Sequence, residues 1–126
     1  MWADMLLWLA ALMLAICGVA HSYLGEKYVL GRLLALPNLP LLRHDVGYTR
    51  AVYRFAWHLT SVAWWAFAAI LIILALHPAD ALRAIAIVLA LTCLIHFLVI
   101  VFTAGTRHPA WSLFLIAAVA TFLATW

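Results

Sequence analysis

Residues 55–76 read FAWHLTSVAWWAFAAILIILAL, and residues 81–104 read ALRAIAIVLALTCLIHFLVIVFTA. Each run is long enough to cross a bilayer as a helix, which takes about 20 mostly apolar residues. Between them stand only His77-Pro78-Ala79-Asp80, a tight turn with Asp80 as a candidate helix cap. This helical hairpin decides the fold. Working outward, residues 5–24 form a similar run before it, and 109–126 a shorter one after it. Gly105-Thr106-Arg107-His108-Pro109 joins the last pair, with Pro109 suited to a first helical position. The expected fold class is all-α: an integral membrane four-helix transmembrane bundle, with the whole chain, 1–126, as one transmembrane domain.

Composition agrees. Of 126 residues, 71% are hydrophobic and 9% charged, whereas a soluble domain is about half apolar. A chain this small cannot hide that much apolar surface in its own interior. A soluble enzyme, a disordered chain and a disulfide scaffold are excluded. So is a nucleic-acid binder, because the net charge is only +3 and no basic face exists. Cys17 and Cys93 sit in apolar runs and read first as small buried hydrophobes.

Lys and Arg set the orientation. The 25–54 connection carries Lys27, Arg32, Arg43, Arg50 and Arg54, and the third connection carries Arg107. The second holds Arg83 alone. Connections one and three are therefore expected on the cytoplasmic side, with both termini outside. The segment before residue 5 has Asp4 and no cation, so the first run reads as an uncleaved span rather than a signal peptide. Trp2, Trp57, Trp111 and Trp126 fall near expected interfaces, and Trp64 and Trp65 fall deeper.

Within the long connection, Pro37-Asn38-Leu39-Pro40 must break any helix. Residues 26–36 and Leu39, Leu41 and Leu42 are apolar enough to pack on the bundle or the headgroups. Asp45 is expected to cap a helix from about Val46 into the membrane, roughly 46 Å long at 1.5 Å per residue.

Six histidines are the informative feature, because ionisable groups inside a span are costly and point to function. A rise of 1.5 Å per residue places His21, His58 and His96 about 24, 31 and 26 Å above the outer surface. That is one layer in the cytoplasmic half. Arg54, His58, Ser61 and Trp65 share a helical stripe, as do Thr92, His96, Val99 and Thr103. Ala11, Ala15, Gly18, Ser22 and Gly25 form a small-residue stripe that lets helices approach closely.

The three histidines are expected to converge as ligands of haem b or of a transition metal such as Cu, Fe or Zn, with His108 higher on the fourth span. His58 with His96, or His21 on the diagonal, would straddle a porphyrin, with Arg54 or Arg50 on its propionates. Cys17 and Cys93, beside His21 and His96, would suit a softer metal. Each histidine taken singly reads first as helix glue, bonded to a Ser, Thr or backbone carbonyl of a neighbouring helix. Glu26, Asp45, His44 and His108 form a second polar layer. There a carboxylate either orients a ligand histidine or pairs with Arg50, Arg54 or Arg107.

The blocks His-Ser-Tyr-Leu-Gly-Glu (21–26), Arg-Phe-Ala-Trp-His-Leu-Thr-Ser (54–61) and Gly-Thr-Arg-His-Pro-Ala-Trp (105–111) resemble small four-span bacterial inner-membrane proteins carrying an HSxxGE block. The resemblance covers most of the chain. It implies a bacterial inner-membrane location and brings no activity with it. The first expected function is a membrane redox or metal protein, exchanging electrons with quinone or another membrane protein. The alternatives are a small homo-oligomeric transporter or channel with a histidine proton or ion relay, and a non-catalytic assembly subunit that binds partners through its Leu-rich cytoplasmic segment. No P-loop, Cys-x-x-Cys or serine elbow is present.

Overall fold

The computed structural model describes residues 2–125 and is all-helical. Trp126, read above at an interface, lies outside the described residues. Helix α1 runs Trp2–Leu33. It is α-helical to Leu24, passes through a π-helical turn over Gly25–Leu30, and closes with Gly31–Leu33. Helix α2 is Val46–Leu76, α3 is Ala81–Ala104 and α4 is Ala110–Leu123.

Local chemistry explains each boundary. The carbonyl of Leu34, past the end of α1, accepts from Arg50 Nε at 2.9 Å, a cation placed where a helix C-terminus favours one. Leu34 and Leu39 bury with Leu30 against Trp57, so that part of the connection packs on the helices, whereas Leu36, Leu41 and Leu42 are exposed. Asp45 caps α2 as its sequence position suggests: its carboxylate accepts from the Tyr48 amide at 3.0 Å. Fully buried Thr49 ties the approach together, donating to the Asp45 carbonyl and accepting from the Leu42 amide, each at 2.8 Å. His77 ends α2 in the left-handed region (φ 46°), and Pro78 prevents continuation. Asp80 makes no side-chain cap on α3, contrary to expectation; only its carbonyl joins the helix, accepting from Ala84. Gly105, at φ 66°, ends α3.

Three helices, α1 to α3, are long and apolar enough to cross a membrane. The fourth is not: its 14 residues reach about 21 Å, short of the roughly 30 Å hydrocarbon layer. The 109–126 span is thus corrected to a shorter helix that gives way to a turn at Ala124.

Extensive helix packing follows chain order: α1 on α2, α2 on α3, α3 on α4. Two tryptophans of α2 seat in two glycine notches of α1. A Cβ at Gly25 would lie 2.0 Å from Trp57 Nε1, and one at Gly18 would lie 2.4 Å from Trp65 Nε1. Each indole also donates to an α1 carbonyl, Trp57 to His21 at 3.0 Å and Trp65 to Ala15 at 3.2 Å. Small residues let the backbones approach, and the indole N–H finds an acceptor where lipid would offer none. On the other side of α2, Tyr48, Phe55, Leu59, Ile100 and Ala104 form a core on which Trp111 and Phe114 of α4 pack.

Candidate functional site

The α1–α2 seam holds the site. Ser22 and Glu26 are four residues apart on α1 and face one stripe of α2: Arg54, His58 and Ser61. His58 bridges the two helices, with Nδ1 3.0 Å from Ser22 Oγ and Nε2 3.3 Å from Glu26 Oε2. Ser22 Oγ lies 2.8 Å from Ser61 Oγ, and Ser61 is fully buried. Arg54 grips Glu26 side-on, with Nε to Oε2 at 3.2 Å and Nη2 to Oε1 at 2.9 Å. The result is one hydrogen-bonded chain, Arg54–Glu26–His58–Ser22–Ser61, passing from a half-exposed rim to the interior. Glu26 lies in the π-helical turn, a feature that recurs at functional sites.

A second polar cluster lies at the same end of the molecule. Arg107 Nη1 is 3.2 Å from Asp45 Oδ2, and the Arg43 and Arg107 guanidinium groups stand 5.8 and 5.3 Å from the Tyr48 ring. This clasp ties the turn before α4 to the start of α2. The Asp45 carboxyl is held below its ordinary value, first by the Tyr48 amide, and Arg107 adds to the effect. Both acids are therefore ion-paired, Glu26 with Arg54 and Asp45 with Arg107.

The expected convergence of histidines does not form. His21 faces Trp57 and Trp64, stacked on the first at 4.4 Å and edge-on to the second at 4.8 Å. Its Nε2 is buried and has no hydrogen-bond partner among the described residues. His96 turns toward α4: its ring lies 4.9 Å from that of Phe114, and Nδ1 is 2.8 Å from the Thr92 carbonyl. His108 meets Phe55 edge-on at 5.2 Å, and its Nδ1 accepts from the Ala110 amide at 3.4 Å. Among the described residues no group of three or more His, Cys, Asp or Glu stands ready to hold a metal ion. Packing in chain order is the physical reason, since His21 and His96 point into different seams. Of the two arginines expected on the propionates, Arg50 holds the Leu34 carbonyl through Nε and Arg54 holds Glu26 through one edge of its guanidinium. Cys17 is exposed rather than buried, at the open pocket that His21, Trp57 and Trp64 also line.

Sequence reasoning missed the π-helical turn and the Tyr48 clasp. The tryptophan notches left a signal it did not use: Gly18 and Gly25 are seven residues apart and Trp57 and Trp65 eight, a near-heptad match. The chain matches no protein-family model, no curated protein and no solved structure.

Proposed function

We propose that this chain is a multi-pass protein of a bacterial inner membrane, its N-terminus outside, whose α1–α2 seam relays protons between the cytoplasmic edge and a lipid-soluble partner of the quinone class. The observation that carries this reading is His58, with both ring nitrogens engaged between Glu26 and the Ser22–Ser61 pair. Two complete proton arrangements satisfy that chain. With neutral imidazole, Nε2–H donates to Glu26, Ser22 donates to Nδ1, and Ser61 donates to Ser22. In the other tautomer, Nδ1–H donates to Ser22, Ser22 donates to Ser61, the Ser61 hydrogen turns onward, and the bare Nε2 accepts from Glu26 in its acid form. When Glu26 passes its proton to Nε2 while Nδ1, Ser22 and Ser61 each pass one inward, the second arrangement becomes the first and one proton leaves at Ser61. Imidazole suits this task because it both donates and accepts.

The relay stops about one turn inside the hydrocarbon. Toward the outer end, the same α1–α2 seam continues as Trp65 packed in the Gly18 notch, its indole already donating to the Ala15 carbonyl. A proton acceptor must then come from the lipid phase, which favours a quinone-class ligand over a permeating ion. Titrating the protein in nanodiscs with a short-chain quinone tests this. Saturable quenching of tryptophan fluorescence is expected, weakened about tenfold in His58→Ala. An unsaturable, linear response in the wild type sinks the reading.

A second reading, haem b or a single Cu, Fe or Zn ion, draws on His96. Its Nδ1–H donating to the Thr92 carbonyl leaves Nε2 as the lone-pair nitrogen, the arrangement that prepares a histidine ligand. A second ligand would come from another copy in a homo-oligomer. An optical spectrum with elemental analysis decides it: a Soret band or stoichiometric metal, lost in His96→Ala, supports this reading, and a colourless, metal-free protein unchanged by added haem or metals removes it.

A further inference from the structure

Arg54 uses one edge of its guanidinium on Glu26 through Nε and Nη2. The other edge, with Nη1, has no partner among the described residues, and the side chain is 51% exposed. It borders a cleft of about 350 Å³ between α2 and α3, lined by Ala51, Arg54, Phe55, His58, Val99 and Thr103. Apart from Arg54, His58 and the Thr103 hydroxyl, the walls are apolar. Both His58 nitrogens are engaged and Thr103 donates to the Val99 carbonyl. The free guanidinium edge is therefore the cleft's uncommitted donor.

Depth indicates what fills it, on the membrane reading proposed above. About 20 residues of helix cross the hydrocarbon. Counted from the outer end of α2 at Leu76, that boundary falls near Trp57. Arg54 then stands roughly 5 Å beyond it, at the level of lipid headgroups. The surrounding rim carries Lys27, Arg32, Arg43, Arg50, Arg54 and Arg107 against Glu26 and Asp45. Such a rim attracts anionic lipid. A planar guanidinium edge matches two oxygens of a phosphate, and an apolar groove continuing from it matches an acyl chain.

We infer that the α2–α3 cleft beside Arg54 is a binding site for an anionic phospholipid, its phosphate diester on the free guanidinium edge and an acyl chain along Ala51, Phe55 and Val99.

Native mass spectrometry of the purified chain tests this with phosphatidylglycerol, phosphatidylcholine and oleate. The variants are Arg54→Gln and Ala51→Phe, the second filling the cleft while leaving the Arg54–Glu26 pair in place. One phosphatidylglycerol is expected on the wild type, about tenfold tighter than phosphatidylcholine, and weakened about tenfold in each variant. Equal retention of the two phospholipids, undiminished binding to Ala51→Phe, or oleate held in place of phosphatidylglycerol each overturns the inference. Flotation of the same protein with liposomes separates the two claims. A chain that floats yet holds no phosphatidylglycerol fails the cleft alone; a chain that does not float fails the membrane reading and the cleft with it.

Discussion

Trp57 is joined to His21 twice: its indole N–H donates to the His21 carbonyl at 3.0 Å, and its ring stacks on the imidazole at 4.4 Å with the planes 5° apart. Both contacts depend on Gly25, whose missing side chain is the space the indole occupies. The same arrangement recurs deeper, where Trp65 fills the Gly18 notch and donates to Ala15. The α1–α2 pair is therefore held in register by two bulky groups in two small gaps. That register brings Ser22 and Glu26 opposite His58.

Gly25→Ala is expected to destabilise the protein by about 1–3 kcal/mol, as overpacking does. The indole cannot simply swing aside, because leaving the notch costs its hydrogen bond and its stack. Thermal unfolding in detergent measures the loss. In a Trp57→Leu background the same alanine should cost much less; an undiminished cost would show that the notch does not hold the indole.

Ser22→Ala and Ser61→Ala should couple. Each removes one end of the 2.8 Å hydroxyl contact, and interhelical bonds within membranes average about 0.6 kcal/mol in double-mutant cycles. A coupling of that order is expected. The 15N signals of the His58 ring give the sharper readout. Ser22→Ala should shift Nδ1, which loses its partner, more than Nε2, which keeps Glu26. Unmoved Nδ1 would mean that the chain from Glu26 to Ser61 is not continuous.

Asp45 sets a pH dependence. Its folded pKa lies below the unfolded value, so its contribution is present above the ordinary carboxylate range and is lost as pH falls through the depressed folded value. Asp45→Ala should therefore unfold at lower temperature than wild type at neutral pH. The two should converge in acid. A gap that stayed constant down to low pH would show that the charge plays no part and only packing does.

The cation distribution predicts an orientation that labelling can read. In a Cys17→Ala/Cys93→Ala background, His77→Cys is expected to react with a membrane-impermeant maleimide from outside intact cells, and Arg43→Cys only after lysis. The Asp4–His77 contact at 2.9 Å places the start of α1 and the α2–α3 turn at one end, so Asp4→Cys should label with His77→Cys. The opposite pattern would invert the topology.

Features that depend on local order along the chain were legible before any packing was known. Apolar runs set the helices, Pro37, Pro40 and Pro78 set the breaks, and Asp45 set the α2 cap, because main-chain sterics and capping act within a few residues. The 4-3-4 spacing of Arg54, His58, Ser61 and Trp65 was also legible, since helical period alone puts them on one stripe, and that stripe meets α1. Tertiary structure decided which stripes meet. Depth put His21, His58 and His96 in one layer, but depth says nothing about azimuth. Close packing at Gly18 and Gly25 turned His21 against Trp57, and the α3–α4 contact turned His96 toward Phe114. Helix neighbours are chosen by shape between distant segments. A Ser–His–Glu chain therefore stands where sequence alone suggested a shared ligand.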